Sequence, residues 1–98
     1  MPAYVSLVSW TDQGIKNYRD TVARAESFRN MVHQAGGQVR ELLWTLGEYD
    51  IVTVIEAPDD QAAMALLLQV GALGNIRTKT MRAMSADEIT GVIGRTSG

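Results

Sequence analysis

Four segments of the chain arrange apolar side chains in the way that β-strands do. Each is rich in β-branched, aromatic or alternating apolar residues and is bounded by turn-forming residues. The Gly47-Glu48 pair between the second and third segments favours a tight two-residue hairpin turn. The pattern therefore predicts four strands, over residues 3–10, 38–46, 49–57 and 76–84.

A main helix is predicted between the first two strands. Asp12 can cap a short helical turn, and Asp20 or Thr21 can then cap the main helix. Gly36 ends it, because glycine adopts the left-handed conformation of a helix C-terminus without steric strain. The apolar positions of this helix recur at spacings of three and four and form one stripe, consisting of Val22, Ala25, Phe28, Val32 and Ala35.

A second helix follows the third strand, and a short helix follows the fourth. Asp59 or Asp60 caps the second helix, which we expect to run to about Leu73. Ser85 and Glu88 have the spacing of a capping box, in which each side chain bonds to the backbone N–H of the other residue. The capping box therefore predicts a short C-terminal helix.

The order of these elements predicts an α+β fold of the βαββαβ type. Both crossover helices then cover one face of a four-stranded antiparallel sheet. We expect one domain over residues 1–98, with a disordered tail over about residues 95–98.

Both faces of the predicted sheet are apolar, although a sheet covered on one side usually has a polar second face. Val5 and Leu7 point to one side of the first strand, while Tyr4, Val8 and Trp10 point to the other. In the second strand, Val39 and Leu43 oppose Leu42, Trp44 and Leu46. We therefore expect the helix-free face to pack against a second sheet, supplied by an identical subunit related by a two-fold axis.

The second helix is apolar nearly all round over residues 62–70, whereas a surface helix carries a polar stripe. Its outward face is expected to contact another subunit, which predicts an oligomer larger than a dimer, formed through the helix at residues 60–73. The alternative is that its alanine-rich positions simply tolerate water.

Composition narrows the classes of function. The net charge of −2 and the pI of about 5.2 argue against a nucleic-acid-binding surface. The absence of cysteine excludes disulfides and thiolate sites, and no apolar run approaches the roughly 20 residues of a membrane span. The single histidine, His33, lies off the apolar stripe, so we expect no metal and no cofactor. Since no secretion signal is recognisable, we expect a cytoplasmic protein.

The sequence resembles the GYD-domain family of small bacterial and archaeal proteins. The resemblance implies a dimeric α/β barrel in which two ferredoxin-like sheets pack face to face, and it implies no particular activity. It covers nearly the whole chain and is carried by residues 4–7, 11–14, 43–50, 57–60, 73–78 and 80–83.

A more distant resemblance links the chain to the effector-binding domain of leucine-responsive and asparagine-operon type regulators. Residues 47–50, 59–60 and 74–80 carry it. It implies amino-acid binding between subunits of a similar barrel. DNA binding is not implied, because no helix-turn-helix half accompanies these residues.

Aromatic and acidic residues at the strand ends are candidate ligand contacts. Tyr49 and Asp50 could form a ligand wall, or Asp50 could satisfy turn amides while Tyr49 packs. Tyr4, Trp10 and Trp44 are expected to project into the space between the two sheets. There they could hold a flat organic ligand or fill the barrel.

Cations on the predicted edge strand form a second candidate group. Arg77, Lys79 and Arg82, with Arg40 nearby, could bind a carboxylate or phosphate. They could equally protect the sheet edge from aggregation or pair with glutamates across subunits.

Taken together, these features favour a homo-oligomeric module that binds or senses a small polar or aromatic metabolite. One alternative is a cofactor-free enzyme of the monooxygenase or isomerase type, acting in the barrel cavity. Another is a structural or adaptor oligomer. Catalysis is the less favoured of these, since the serines and threonines have no base at a recognisable spacing.

Overall fold

A computed structural model describes residues 1–96 and contains four strands and four α-helices within that range. The order of elements is βαββαβ with a final helix, which confirms the predicted α+β ferredoxin-like fold. The elements are β1 (Ala3–Trp10), α1 (Asp12–Lys16), α2 (Thr21–Gln34), β2 (Gln38–Trp44), β3 (Ile51–Glu56), α3 (Asp60–Ala72), β4 (Ile76–Ala83) and α4 (Ala86–Ile93). A short 3₁₀ turn over Tyr18–Asp20 links α1 to α2.

The four strands form one antiparallel sheet in the order β2-β3-β1-β4. β4 is therefore an edge strand, as predicted. In the register, Tyr4 lies opposite Ile55 on β3 and Arg82 on β4. Directly opposed residues share a face, so this register assigns every side chain of the sheet to one side or the other.

We call the two sides of the sheet the covered face and the open face. The covered face lies under α2 and α3, and its central residues are Tyr4, Ser6, Val8, Ile51, Thr53 and Ile55, all of them buried. The open face has half-buried central residues, namely Val5, Leu7, Val52 and Val54, and more exposed flanking ones. The predicted apolar character of both faces is thus confirmed for β1 and β3.

Local signals placed most helix ends correctly. The Asp59 side chain caps α3 through the N–H of Ala62, and Ser85 and Glu88 form the predicted capping box of α4. Gly36 ends α2 in the left-handed region, with φ of 86°. The prediction for α1 was wrong, because Thr11 rather than Asp12 is its capping side chain.

Two details of the sheet differ from the prediction. The hairpin is longer than a two-residue turn, because β2 ends at Trp44 and residues 45–50 connect it to β3. Thr45 N–H donates to the Asp50 carbonyl, while Asp50 N–H donates to Val8 of β1, so the neighbouring strand fixes this loop. A β-bulge between Val39 and Glu41 places Val39 on the covered face, on the same side as Leu42 rather than opposite it.

The two described residues nearest the C-terminus, Arg95 and Thr96, make backbone hydrogen bonds to the end of α4. Arg95 N–H donates to the Val92 carbonyl and Thr96 N–H to that of Ile93, while the rest of the predicted tail lies outside the described residues. Among the helices of residues 1–96, none has the length and apolar character needed to span a bilayer.

Candidate functional site

A cavity of about 180 Å³ lies between the covered face and the two main helices. Its floor consists of strand residues, namely Ser6, Val8, Trp10, Ile51, Thr53 and Thr78. Its walls come mainly from α2 and α3, through Arg24, Ser27, Phe28, Met31, Leu67 and Val70. The remaining contributors sit around its rim: Thr21, Leu42, Leu73, Asn75 and Ile76.

The cavity occupies only one end of the covered face. At the other end, which we call the packed end, a compact cluster joins the sheet to the C-terminal half of α2 and the N-terminal half of α3. Its buried members are Tyr4, Val32, Ile55, Ala57, Ala63 and Leu66. At the cavity end, the exposed lining residues Ser27 and Leu73 mark where the cavity opens to solvent.

Small hydroxyl side chains form part of the cavity floor and are already hydrogen bonded. The hydroxyls of Ser6 and Thr80 lie 2.7 Å apart, and Thr53 Oγ1 donates to the Glu41 carbonyl at 2.6 Å. Because Ser6 and Thr53 have partners within the sheet, an apolar molecule can contact these two side chains without a desolvation penalty.

Trp10 contributes the one side-chain polar atom in the described part of the chain that is buried without a hydrogen-bond partner. Its backbone N–H donates to Asp50 Oδ2 at 2.8 Å, but its indole Nε1 has no acceptor. A buried N–H that lacks a partner costs free energy, so this end of β1 is not optimised for stability alone.

Arg24 is the only charged side chain among the described residues that line the cavity, and no carboxylate is among them. Its guanidinium donates to the backbone carbonyls of Asn17 at 2.9 Å and Gly14 at 3.2 Å. Arg24 therefore ties α2 to α1 at the rim of the cavity.

Hydrogen bonds also join the turn at the start of α1 to the segment that follows α3, at the rim of the cavity. Thr11 N–H donates to the Asn75 carbonyl at 3.0 Å, and Thr11 Oγ1 donates to that of Gly74 at 2.6 Å. Gly14 lies so close to Asn75 that a Cβ there would stand 2.0 Å from its carbonyl oxygen. Segments 11–14 and 73–78, which carry the family resemblance, thus meet beside the cavity.

The candidate residues proposed from the sequence do not form one site. Tyr4, Trp10 and Trp44 lie on the covered face, so the expectation that they project between two sheets was wrong. Among them, Trp10 alone lines the cavity. Trp44 is partly exposed, and its Nε1 donates to Thr21 Oγ1 at 2.9 Å.

Tyr4 and Arg82 meet at the packed end instead, beside the start of α3. The Tyr4 hydroxyl donates to Asp60 Oδ1, and Arg82 Nε lies 3.7 Å from the same oxygen. Burial, and after it the hydrogen bond to Asp60, raises the pKa of the Tyr4 hydroxyl above its ordinary value of 10.0. This cluster joins β1, β4 and α3.

The hairpin residue Tyr49 and two of the edge-strand cations, Arg77 and Lys79, lie on the open face. Lys79 Nζ is 3.4 Å from the Tyr49 hydroxyl and 5.7 Å from the centre of its ring. Arg77 shares this face with Lys79, whereas Arg82 points to the other side, so the three cations are separated. The Asp50 side chain accepts the backbone N–H of Trp10 on β1, so it satisfies an amide of a neighbouring strand and not an amide of the hairpin turn.

Sequence reasoning missed most of the cavity residues. Ser6, Thr53 and Thr78 occupy inward positions of three different strands where large apolar residues are usual. Small hydroxyl residues at these inward positions were the one sequence signal that indicated an incompletely filled core. The cavity walls, such as Phe28 and Leu67, carried no signal, because they look like ordinary core residues.

Chemically, this arrangement is suited to holding a small molecule with apolar surface. Its walls are mostly aliphatic and aromatic, and Arg24 is the charged side chain among its described lining residues. Within residues 1–96, no three histidine or carboxylate side chains come close enough together to hold a metal ion.

Solved structures with similar folds include two structures of regulatory proteins from M. tuberculosis. The feast or famine regulatory protein from M. tuberculosis, complexed with L-methionine, matches with a TM-score of 0.66 and 17% identity over 88% of this chain. The leucine response regulatory protein (LrpA) from Mycobacterium tuberculosis matches with a TM-score of 0.64 and 18% identity over 87% of this chain. The chain spans only 52% and 51% of their lengths, and at these identities the likeness concerns the fold.

Two proteins from Thermus thermophilus match over nearly their whole lengths. The crystal structure of TTHA0845 has a TM-score of 0.56 and 20% identity, covering 88% of this chain and 96% of that one. A protein named "Glutamine synthetase and cystathionine beta-lyase binding protein" is 26% identical over 90 residues, covering 91% of this chain and 95% of that protein.

The GYD domain model matches residues 4–93, from the first strand to the end of the last helix. This chain therefore belongs to the GYD domain family.

Proposed function

We propose that this GYD domain is a small-molecule-binding module whose ligand occupies the cavity between the sheet and the two main helices. The observation that carries the proposal is a cavity of about 180 Å³ with mostly apolar walls and, among its described lining residues, one charged side chain, Arg24. Pockets with apolar walls and a few directed polar groups are typical of ligand sites. A regulator of similar fold that was solved with L-methionine supports binding as the role.

A cavity-filling substitution tests this proposal. Leu67 lines the cavity, whereas its neighbour Leu68 is 67% exposed on the outside of α3. Thermal-shift screening of small metabolites should find a ligand that stabilises the chain, by about 2.7 kcal/mol at a hundredfold excess over Kd. Leu67→Phe should abolish this stabilisation and the matched control Leu68→Phe should retain it. Equal responses of both variants would place the ligand elsewhere.

We further propose that the module works as a homo-oligomer formed through the open face. This face carries exposed apolar side chains, including Leu43 at 55% and Met81 at 51% exposure. Glu41 lies on it near the β2 edge, and Arg77 and Lys79 lie on it near the β4 edge. A two-fold axis that runs parallel to the strands, between two such faces, would set the β2 edge of one protomer against the β4 edge of its partner, and so Glu41 near Arg77 and Lys79.

Light scattering during size-exclusion chromatography tests the assembly. Val54→Asp, in the middle of the open face, should convert the oligomer into single chains, because an unpaired carboxylate would be buried at the interface. If α3 adds contacts beyond a dimer, Leu68→Asp should leave a dimer. An unmodified chain that runs as a single copy at micromolar concentration would contradict the proposed assembly.

Protein binding is a second candidate function. The relative named for its binding of glutamine synthetase and cystathionine beta-lyase supports it. So does α4, whose apolar residues Ile89, Val92 and Ile93 are all exposed in the single chain. Titration of the purified chain against these two enzymes, followed by calorimetry, tests this candidate, and Val92→Asp should weaken any complex that uses α4.

A further inference from the structure

We propose that the ligand of the cavity is an organic acid, with an apolar body that packs between the sheet and the helices and a single negative charge that lies beside Arg24. This inference rests on the proposed function, because it takes the cavity as the binding site. It goes further by assigning the sign of the ligand's charge and the residue that attracts it.

Arg24 lies on the side of α2 that lines the cavity, where the next lining residues along the helix are mostly apolar. It lines the cavity together with Phe28 and Met31, and the spacing of these three residues places them on one side of the helix. Arg24 is half-buried there, whereas Val22, in the same turn, is 60% exposed. A charged residue on the inner side and an apolar residue on the outer side depart from the usual core pattern, as residues at functional sites often do.

The positive charge of Arg24 has no anionic partner in the described part of the chain. Its guanidinium donates to two backbone carbonyls, those of Asn17 and Gly14, which carry no net charge, and a guanidinium has more N–H groups than these two bonds use. None of the ion pairs within residues 1–96 includes Arg24, and no carboxylate of that range lines the cavity. Because an anion stabilises a half-buried cation, the cavity favours a negative ligand over a neutral or positive one.

The other lining residues determine the character of the ligand's body. Phe28, Leu67 and Val70 line the cavity from the helices, and Val8 and Ile51 line it from the sheet. An apolar body gains free energy by leaving water for these walls, whereas a bare inorganic anion gains nothing from them. A second negative charge on the ligand would find no further cation among the described lining residues. The cavity therefore fits an apolar molecule with one anionic group.

Probes that share one shape and differ in charge test the sign of the ligand's charge. Benzoate is negative, benzamide is neutral and benzamidine is positive at neutral pH, and all three have the same number of non-hydrogen atoms. Hexanoate, hexanamide and hexylamine repeat the comparison with an aliphatic body. Calorimetry at low ionic strength should show, in at least one series, the acid binding about tenfold tighter than its amide. In neither series should the cation bind as tightly as the acid, and acetate, which lacks the apolar body, should not bind at the same concentrations.

Three arginine variants test whether Arg24 is the attracting charge. Arg24→Gln removes the charge and should bring the affinities for acid and amide to within about threefold of each other. Arg24→Lys keeps the charge and should keep the preference for the acid. Arg29→Gln is the matched control, because Arg29 lies on the same helix, carries the same charge and is not among the lining residues. This control should bind the acid as tightly as the unmodified chain does.

A spectroscopic measurement on the unmodified chain gives the same assignment even where Arg24→Gln fails to fold. Arg24 also joins α2 to α1 through its bonds to Asn17 and Gly14, so its loss affects stability as well as binding. The Nε–H signal of Arg24 in proton–nitrogen NMR spectra is identified by its absence from Arg24→Lys. This signal should move when the acid is added and stay in place when the amide is added. An unmoved Arg24 signal at saturating acid would overturn the assignment.

The outcomes separate this inference from the proposed function. An amide or a cation that binds as tightly as the acid would overturn the negative charge, and an unchanged preference for the acid in Arg24→Gln would overturn the role of Arg24. In both cases loss of binding in Leu67→Phe would leave the cavity as the ligand site. Acid binding that Leu67→Phe leaves intact and Lys79→Gln abolishes would place the acid on the open face and overturn the inference. If no acid binds at millimolar concentration, the inference is wrong, and the proposed function fails with it only when metabolite screening finds no ligand that depends on Leu67.

Discussion

The two ends of the covered face are built from the same strands and helices, yet one is filled and the other is hollow. At the packed end, Ile55 is 1% exposed and Val32 is fully buried against it. At the cavity end, Val8 and Ile51 border empty space, and the adjoining strand positions carry Ser6 and Thr53. We infer from this difference that the packed end stabilises the fold and that the cavity end provides the space for the proposed ligand.

Truncating one isoleucine at each end tests whether the two ends contribute differently to stability. Ile55→Ala should lower the free energy of unfolding by about 2–5 kcal/mol, because it opens a void in a filled cluster. Ile51→Ala should cost less, since its side chain already faces a cavity and loses fewer contacts. Urea denaturation measures the free energy of unfolding of both variants, and their m-values should equal that of the unmodified chain. Equal costs would show that the cavity end contributes as much packing as the other end.

Adding a single methyl group at the rim of the cavity tests how rigid the hollow end is. In Gly14→Ala the new Cβ would meet the Asn75 carbonyl oxygen at 2.0 Å, and two backbone segments must then move apart. We expect a loss of about 1–3 kcal/mol in stability together with weaker ligand binding.

Gly71→Ala provides the matched control for this glycine substitution. Gly71 lies in α3, and no neighbouring atom lies within 4 Å of the position that an added methyl group would take. Alanine should therefore be neutral there or stabilise by up to about 1 kcal/mol. Differential scanning calorimetry of both variants measures the contrast. A Gly14→Ala variant as stable as Gly71→Ala would mean that the 11–14 turn adjusts freely around the cavity.

At the packed end, Tyr4→Phe removes the hydrogen bond to Asp60 and should cost about 1 kcal/mol near neutral pH. The folded protein raises the pKa of Tyr4 above 10.0, so the folded state holds this proton more tightly than the unfolded state does. The stabilisation is therefore complete below pH 10.0 and is lost as the pH rises through the folded pKa. Denaturation of both proteins across this range should show their stabilities converging at high pH, whereas a constant difference would contradict the assignment.

The helices and strands could be predicted from the sequence, because they depend on residues that are close together in the chain. Features that depend on contacts between distant segments could not be predicted in this way. Ser85 with Glu88, Asp59 and Gly36 each act within a few residues of their own position, so their roles could be inferred without a fold. The length of the hairpin loop could not be inferred without a fold. The Asp50 N–H donates to the Val8 carbonyl and the Asp50 side chain accepts the Trp10 N–H, and both partners lie on another strand.

The candidate site was predicted less well, for a physical reason. Alternation in β1 shows that Tyr4 and Val8 share a face, but it cannot tell which face the helices cover when both are apolar. Tyr4 and Trp10 were therefore assigned to the wrong side. The cavity itself is lined by residues of four strands and two helices, and no pattern along a single element encodes how these elements come together.

The smallest expected effect concerns α4, which has no buried residue and so contributes little to either end of the covered face. Ser85→Ala should destabilise this helix by about 1 kcal/mol while leaving the global unfolding transition almost unchanged. Carbon chemical shifts and amide hydrogen exchange over residues 86–93 measure the helix separately from the rest of the domain.

The pH dependence of α4 identifies its capping box as the cause. The Ser85 backbone N–H, which donates to Glu88, lowers the pKa of that carboxyl below its ordinary value of 4.5. The stabilisation is therefore present above pH 4.5 and is lost as the pH falls through the folded pKa. The unmodified helix should fray in this acidic range, whereas Glu88→Gln should show no such transition. A helix that keeps its chemical shifts throughout acidification would indicate that α4 is held by contacts with another protomer, because its exposed apolar residues Ile89 and Val92 would then be the stabilising groups.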